Sequence, residues 1–152
     1  MIRQPFRTAL LALLLTSAGS AVAGDSYLDK MVDYREHLMD VYAFQMKSIG
    51  MMLKGELPYD AAQVAARAND LAAATQIDLL AAFPEASEGH ADSDARPDIW
   101  LDFAAFSEKF QRLQQHSAAL AKVAAGGDQE AIATAFKQVG GSCKSCHKAY
   151  KQ

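Results

Sequence analysis

Little in this 152-residue chain breaks a helix: four prolines and nine glycines are too few for collagen-like or low-complexity architectures. There is no basic excess either. Lys and Arg number 15 against 18 Asp and Glu, for a formal charge of −3, and the cations are scattered. Neither phosphate neutralisation nor binding to an anionic lipid surface is expected from that balance. The longest apolar run, Ala9 to Leu15, is too short to span a bilayer. No Ser/His/Asp set, no pair of catalytic carboxylates and no glycine-rich phosphate loop stands at a usable spacing, so an enzyme is not expected. What is present is 51% apolar and 22% charged residues, enough for one domain with a buried core. Cysteine is the scarcest informative residue, and the only two sit three apart, at Cys143 and Cys146.

The amino terminus reads as a segment apart. Arg3 and Arg7 precede the apolar run, and small residues follow, ending in Ala21-Val22-Ala23. This is the pattern of a secretory signal peptide over residues 1–23, cleaved before Gly24. Without Arg3 and Arg7 the remaining 13 basic and 18 acidic residues leave a charge of −5 on an exported domain, residues 24–152.

From Gly24 onward no stretch alternates strictly between apolar and polar residues, and alanine is abundant, which predicts an all-α fold. The spacing predicts a first helix over about 26–53, carrying Leu28, Met31, Leu38, Tyr42, Met46, Ile49 and Leu53 and stopped by Lys54-Gly55. A second helix starts at an Asp60 cap and runs to about Ala82. Residues 84–96 read as a polar crossover loop. A third helix runs from Pro97 to about Val123, with Ile99, Phe103, Phe106, Phe110, Leu113 and Leu120 inward. A fourth, capped by Asp128, carries Ile132, Phe136, Val139, Cys143, Cys146 and Tyr150 on one face. Four helices with mostly short links predict an antiparallel four-helix bundle rather than a dimer of helical hairpins.

His147 follows Cys146 and completes Cys-x-x-Cys-His, the signature of covalent c-type haem attachment. Residues three apart on a helix point the same way, so both thiols can add to one porphyrin while the adjacent imidazole reaches iron. A thioredoxin-like redox pair would need a βαβ context, zinc would need a second pair of ligands that His37, His90 and His116 do not supply, and a disulfide across three residues would close almost no chain. Trp100, Phe103, Phe106 and Phe110 read as ordinary core, and His37 and His116 as surface residues.

Several separated segments carry a family resemblance. They are Tyr34-Arg35 with Met39, Lys54-Gly55-Glu56-Leu57-Pro58-Tyr59-Asp60, Asp94-Ala95-Arg96-Pro97-Asp98-Ile99-Trp100, and Gly141-Ser142-Cys143 through His147 and Tyr150. On these the chain resembles the class II c-type cytochromes, and cytochrome c′ most. The resemblance implies one haem c per chain, held by Cys143 and Cys146 with His147 as proximal ligand, Arg35 and Glu36 near it on the first helix, and Asp94 approaching from the crossover. Glu36 stands where the family commonly has glutamine, and Lys151 where it has arginine. Arg35 suits a haem propionate, since a guanidinium pairs bidentately with a carboxylate, against the alternative of a solvated surface ion pair. Met39 falls where relatives place either an apolar cover over a vacant iron face or a sulfur ligand. The first implies binding of a diatomic gas such as nitric oxide or carbon monoxide; the second implies a low-spin His/Met electron carrier of the cytochrome c556 type. The resemblance further implies the bacterial periplasm and the possibility of a homodimer through the first two helices, and the net charge suggests basic redox proteins as partners.

Overall fold

The computed structural model describes residues 20–152. Of the expected signal peptide, residues 1–19 lie outside the described residues, and Ser20 to Ala23 are helical. Five α-helices and two single 3-10 turns make up the described residues, with no strand.

Helix α1, Ser20–Leu53, buries Val32, Arg35, Leu38, Tyr42, Gln45, Ile49 and Met52, each three or four residues after the last. That stripe is rotated slightly from the expected one. It takes in two polar residues, and Met31, Met46 and Leu53 are only half-buried. The helix ends where Gly55 adopts φ 76°, a left-handed conformation that glycine takes without strain. There the Glu56 N–H donates to the Met51 carbonyl at 2.9 Å and the Gly55 N–H to Met52 at 3.2 Å, the paired bonds of a Schellman stop.

Helix α2, Ala61–Ala74, starts as expected, with the Asp60 carboxylate accepting from the Gln63 N–H, and buries Val64, Ala68 and Leu71. It stops eight residues short of the expected Ala82. The side chain of Asp78 accepts from the Ala81 N–H at 3.2 Å and starts a separate turn, Leu80–Ala82. An aspartate that can bond the backbone locally competes with helix continuation. The crossover is otherwise irregular, as expected, with one more 3-10 turn at Glu85–Ser87.

The third expected helix is broken in two. Helix α3, Asp98–Leu101, is a single turn, and α4, Phe103–Ala124, begins after Asp102, whose backbone leaves the helical region at φ −142° and ψ 74° while its carboxylate caps Ala105. The break leaves Leu101 at 83% exposure. Replacing the cap, Asp102→Ala, should cost about 1 kcal/mol, read as a lower urea midpoint with unchanged slope. Helix α5, Gln129–Tyr150, has the expected bounds, and Asp128 accepts from both Glu130 and Ala131.

Helices α1, α2, α4 and α5 form the four-helix bundle. Helix α1 packs on α2, α2 on α4 and α4 on α5, while α5 closes on α1 through sparser contact. The core between them holds Ile49, Leu71, Leu120, Ile132 and Val139, each inaccessible to solvent. At Gly50 helix α1 comes so close to α5 that a Cβ would lie 3.2 Å from the Phe136 ring, which fixes the register of the two helices.

Candidate functional site

The last two turns of α5 carry the motif. Cys143 and Cys146 are free thiols, half-buried and packed against the bundle core. Burial raises both thiol pKa values; at Cys146 the charge of Lys109 on α4 works the other way. His147 is exposed on the helix flank, and the burial it has, together with Lys151, lowers its imidazole below the ordinary 6.5.

Met39 on α1 lies as many residues before Gly50 as His147 lies after Phe136, about 16 Å of helix rise in each case. The crossover bonds both Arg35, one turn before Met39, and the turn after His147, so Met39 and His147 lie toward the same end of the bundle. Met39 is half-buried against the core.

Arg35, one turn before Met39, is only 3% exposed. Its guanidinium donates to the Ala82 carbonyl at 3.1 Å, to Ser87 Oγ at 3.2 Å and to Ser93 Oγ at 2.7 Å, all from the crossover. Its carbon also sits 4.4 Å from the centre of the Phe83 ring. None of the ion pairs among the described residues includes Arg35. The alternative of a solvated surface ion pair is therefore wrong: the crossover folds over α1 and takes the arginine out of water. Burial works against its charge, and neighbouring Glu36, itself exposed, supports it. Three bonds leave two of the five guanidinium N–H donors without a protein partner in this set.

The crossover also grips the end of α5. The Arg96 N–H donates to the Tyr150 carbonyl at 3.0 Å and the Gln152 N–H to that of Asp94 at 2.9 Å, an antiparallel bridge. The exposed Asp94 carboxylate pairs with Lys151 Nζ at 3.1 Å. Ser93 and Asp94 thus connect the Arg35 level of α1 with the turn just after His147. A chain of rings lies alongside, Trp100 tilted against Phe83 and then Phe83, Phe106 and Tyr150 packed edge to face.

Two expectations about neighbouring residues need correction. His116 is not a free surface residue: half-buried on α4, its Nδ1 lies 2.8 Å from Ser142 Oγ, next to Cys143. His37 is exposed as expected. Of the aromatic stripe, Phe106 and Phe110 are core, but Phe103 is 37% exposed. With Trp100, Leu80, Phe83 and Pro84 it lines an open groove of about 480 Å³. The break at Asp102 is the cause, since it turns the first residues of α4 away from the bundle axis. Phe83, Ser87 and Ser93, which seat Arg35, carry no motif; only an arginine at a core position of the α1 stripe hinted that partners existed.

These residues fit a c-type haem. Two free thiols one turn apart face the core, an imidazole adjoins them, and a buried cation without a carboxylate partner stands on the facing helix. Among the described residues no three His, Cys, Asp or Glu side chains gather in a way that could hold a metal ion.

A four-helix bundle with Cys-x-x-Cys-His near the end of its last helix defines a class of haem-binding bundles. The family model described as Cytochrome C′ matches residues 30–151. A cytochrome c′ of Alcaligenes xylosoxydans is 38% identical over 121 residues, 80% of this chain and 92% of the relative; one of Rhodospirillum rubrum is 36% identical over 151 residues, 99% of each. Among solved structures, a cytochrome c prime from Shewanella frigidimarina superposes with a TM-score of 0.78 at 37% identity, covering 82% of this chain and 96% of that one. A nitric oxide complex of a cytochrome c prime variant from Alcaligenes xylosoxidans reaches 0.73 at 36% identity, covering 82% and 96%. The chain belongs to the cytochrome c′ family, whose members carry a covalently attached haem c, and its two cysteines suit that attachment.

Proposed function

We propose that the chain is a periplasmic haem c protein with a proximal histidine and an apolar distal face open to a small neutral gas, nitric oxide or carbon monoxide. Bound haem would supply an iron with one free coordination position for the gas. Cys143 and Cys146 would hold it through thioethers, each S–H adding across one vinyl group with the proton passing to the other vinyl carbon. His147 would be the axial ligand. Arg35 would offer its remaining N–H donors to a propionate, with Glu36 beside it on α1 and Asp94 bordering the site from the crossover. The observation that carries the reading is the placement of Met39 on α1 and His147 on α5 toward the same end of the bundle, with Met39 half-buried against the core. It gives an apolar side chain the position of a cover. The nitric oxide complex of a relative supports the choice of ligand.

The same placement of Met39 supports a second reading, a low-spin electron carrier in which its sulfur is the sixth ligand. An absorption spectrum of the ferrous protein with and without carbon monoxide separates the two. An open face gives a high-spin spectrum that carbon monoxide shifts, and Met39→Ala leaves that resting spectrum unchanged while speeding gas entry. A ligating sulfur gives a low-spin spectrum indifferent to carbon monoxide, and the same substitution turns it high-spin. Removal of residues 1–23 on export belongs to this reading, and a mature mass starting at Gly24 checks it. So does a homodimer over α1, where Tyr27, Tyr34, Val41 and Phe44 are 42–61% exposed. Dimer dissociation controlled by ligand is described for a related cytochrome c′ at 29% identity.

A further inference from the structure

The charge of the whole chain and the charge along its last helix have opposite signs, although Asp94 pairs with Lys151 and Asp98, Asp102 and Glu108 stand near Tyr150 at the helix end. After Glu130 the sequence has no acidic residue, and Lys137, Lys144, Lys148 and Lys151 fall within it; the rest of the chain from Gly24 holds nine basic and eighteen acidic residues. At 100° per residue Lys137, Gly141, Lys144 and Lys148 share one stripe of α5, with His147 on its flank and Cys146 on the opposite side, and Lys151 follows just past the helix end. All four lysines are exposed. A Cβ added at Gly140 or Gly141 would meet nothing within 4 Å, so no other element covers this face. Of the four, only Lys151 has an ion-pair partner among the described residues. Complementing the helix dipole does not account for the stripe, because that effect is confined to the last turn and Lys137 lies well inside the helix.

We propose that this lysine stripe of α5 is the docking surface for an electron-transfer protein with an acidic face. The inference rests on the haem reading above and names the partner of that same site. Lys144 and Lys148 are the immediate chain neighbours of Cys143 and His147, so a partner seated on them lies one residue from the attachment. The exchange moves one electron: the partner's cofactor is oxidised as this chain's haem is reduced, or the reverse. Net charge of −5 argues for basic partners, but docking is governed by the potential at the contact, where opposite charges meet within a Debye length. The same excess of acid over the rest of the surface disfavours lying on an anionic membrane, which a small domain meets with more than one face.

The test uses the haem-loaded protein, labelled for NMR, titrated at low salt with flavodoxin, an acidic one-electron protein. Shifts are expected at Lys137 to Lys151, with binding that weakens steeply as salt is added. Lys144→Glu with Lys148→Glu should lower affinity about tenfold or more, leave the carbon monoxide spectrum unchanged, and contrast with Lys122→Glu on α4, which should not alter binding. Three results overturn the proposal: no shifts, or shifts centred elsewhere; tighter binding to a basic cytochrome c than to flavodoxin; or capture by phosphatidylserine vesicles in preference to flavodoxin. Failure of the haem reading is recognised separately, as a mature mass equal to that of the bare chain.

Discussion

With Cys143→Ala and Cys146→Ala together, the haem should become fully extractable by acid acetone, whereas the unmutated protein should keep one haem per chain through the same treatment. Each single variant should retain the cofactor by its remaining thioether. The expectation rests on the state of the two sulfurs: both are free, both half-buried against the core, and one helical turn apart, so that both meet one edge of a planar group lying along α5. Alanine fills most of the space of a thiol and keeps helix propensity, so the bundle itself should survive. Mass spectrometry reads the result directly. If the unmutated mature protein shows the mass of the bare chain, with two thiols that alkylate, the assignment of Cys143, Cys146 and His147 fails together.

Arg35→Leu should destabilise the protein by about 2–4 kcal/mol, measured as a fall in the urea midpoint. Leucine is apolar and keeps much of the side chain's bulk, so the loss comes mainly from the polar contacts. Ser87 Oγ still donates to Pro84 and Ser93 Oγ still accepts from Ala95, but the Ala82 carbonyl is left buried without the donor it now has. The contact of the guanidinium with the Phe83 ring is lost as well. Against this stands the desolvation cost of the charge, which the substitution removes. The bonds should win, because a crossover that gives one buried arginine three acceptors from two of its turns and loops has no other tie to α1 of that strength. Arg35→Lys keeps the charge without the fork and should fall between. A change below about 0.5 kcal/mol in the leucine variant, the range of an ordinary surface position, would mean that the arginine does not organise the crossover.

The attachment motif, the all-α class and the bounds of α5 were legible in the sequence. Each depends on residues close in the chain: Cys143, Cys146 and His147 lie within two turns, and the Asp128 cap accepts from Glu130 and Ala131, two and three residues on. The helix stops at Gly55 and the start at Asp60 are local for the same reason. The second and third helices differ from what the apolar spacing predicts: α2 ends at its Thr75 cap and Asp78 starts a separate turn by bonding Ala81, while Asp102, unremarkable in a hydrophobic pattern, leaves the helical region and bonds Ala105 to begin a new helix.

Only the tertiary structure decided what Arg35 is. Its position in the α1 stripe is readable, but whether an arginine there meets water or a cage depends on where residues 79–93 travel, and the partners at 82, 87 and 93 are 47 to 58 residues away. The placement of Met39 and His147 is of the same kind. Helical periodicity places each on its own helix; that both lie toward one end of the bundle comes from the crossover, which bonds Arg35 through Ser93 and the end of α5 through Asp94 and Arg96. Short-range hydrogen bonding and periodicity are encoded in neighbouring residues, while register and burial of a polar group are set by packing between elements that the chain brings together only when it folds.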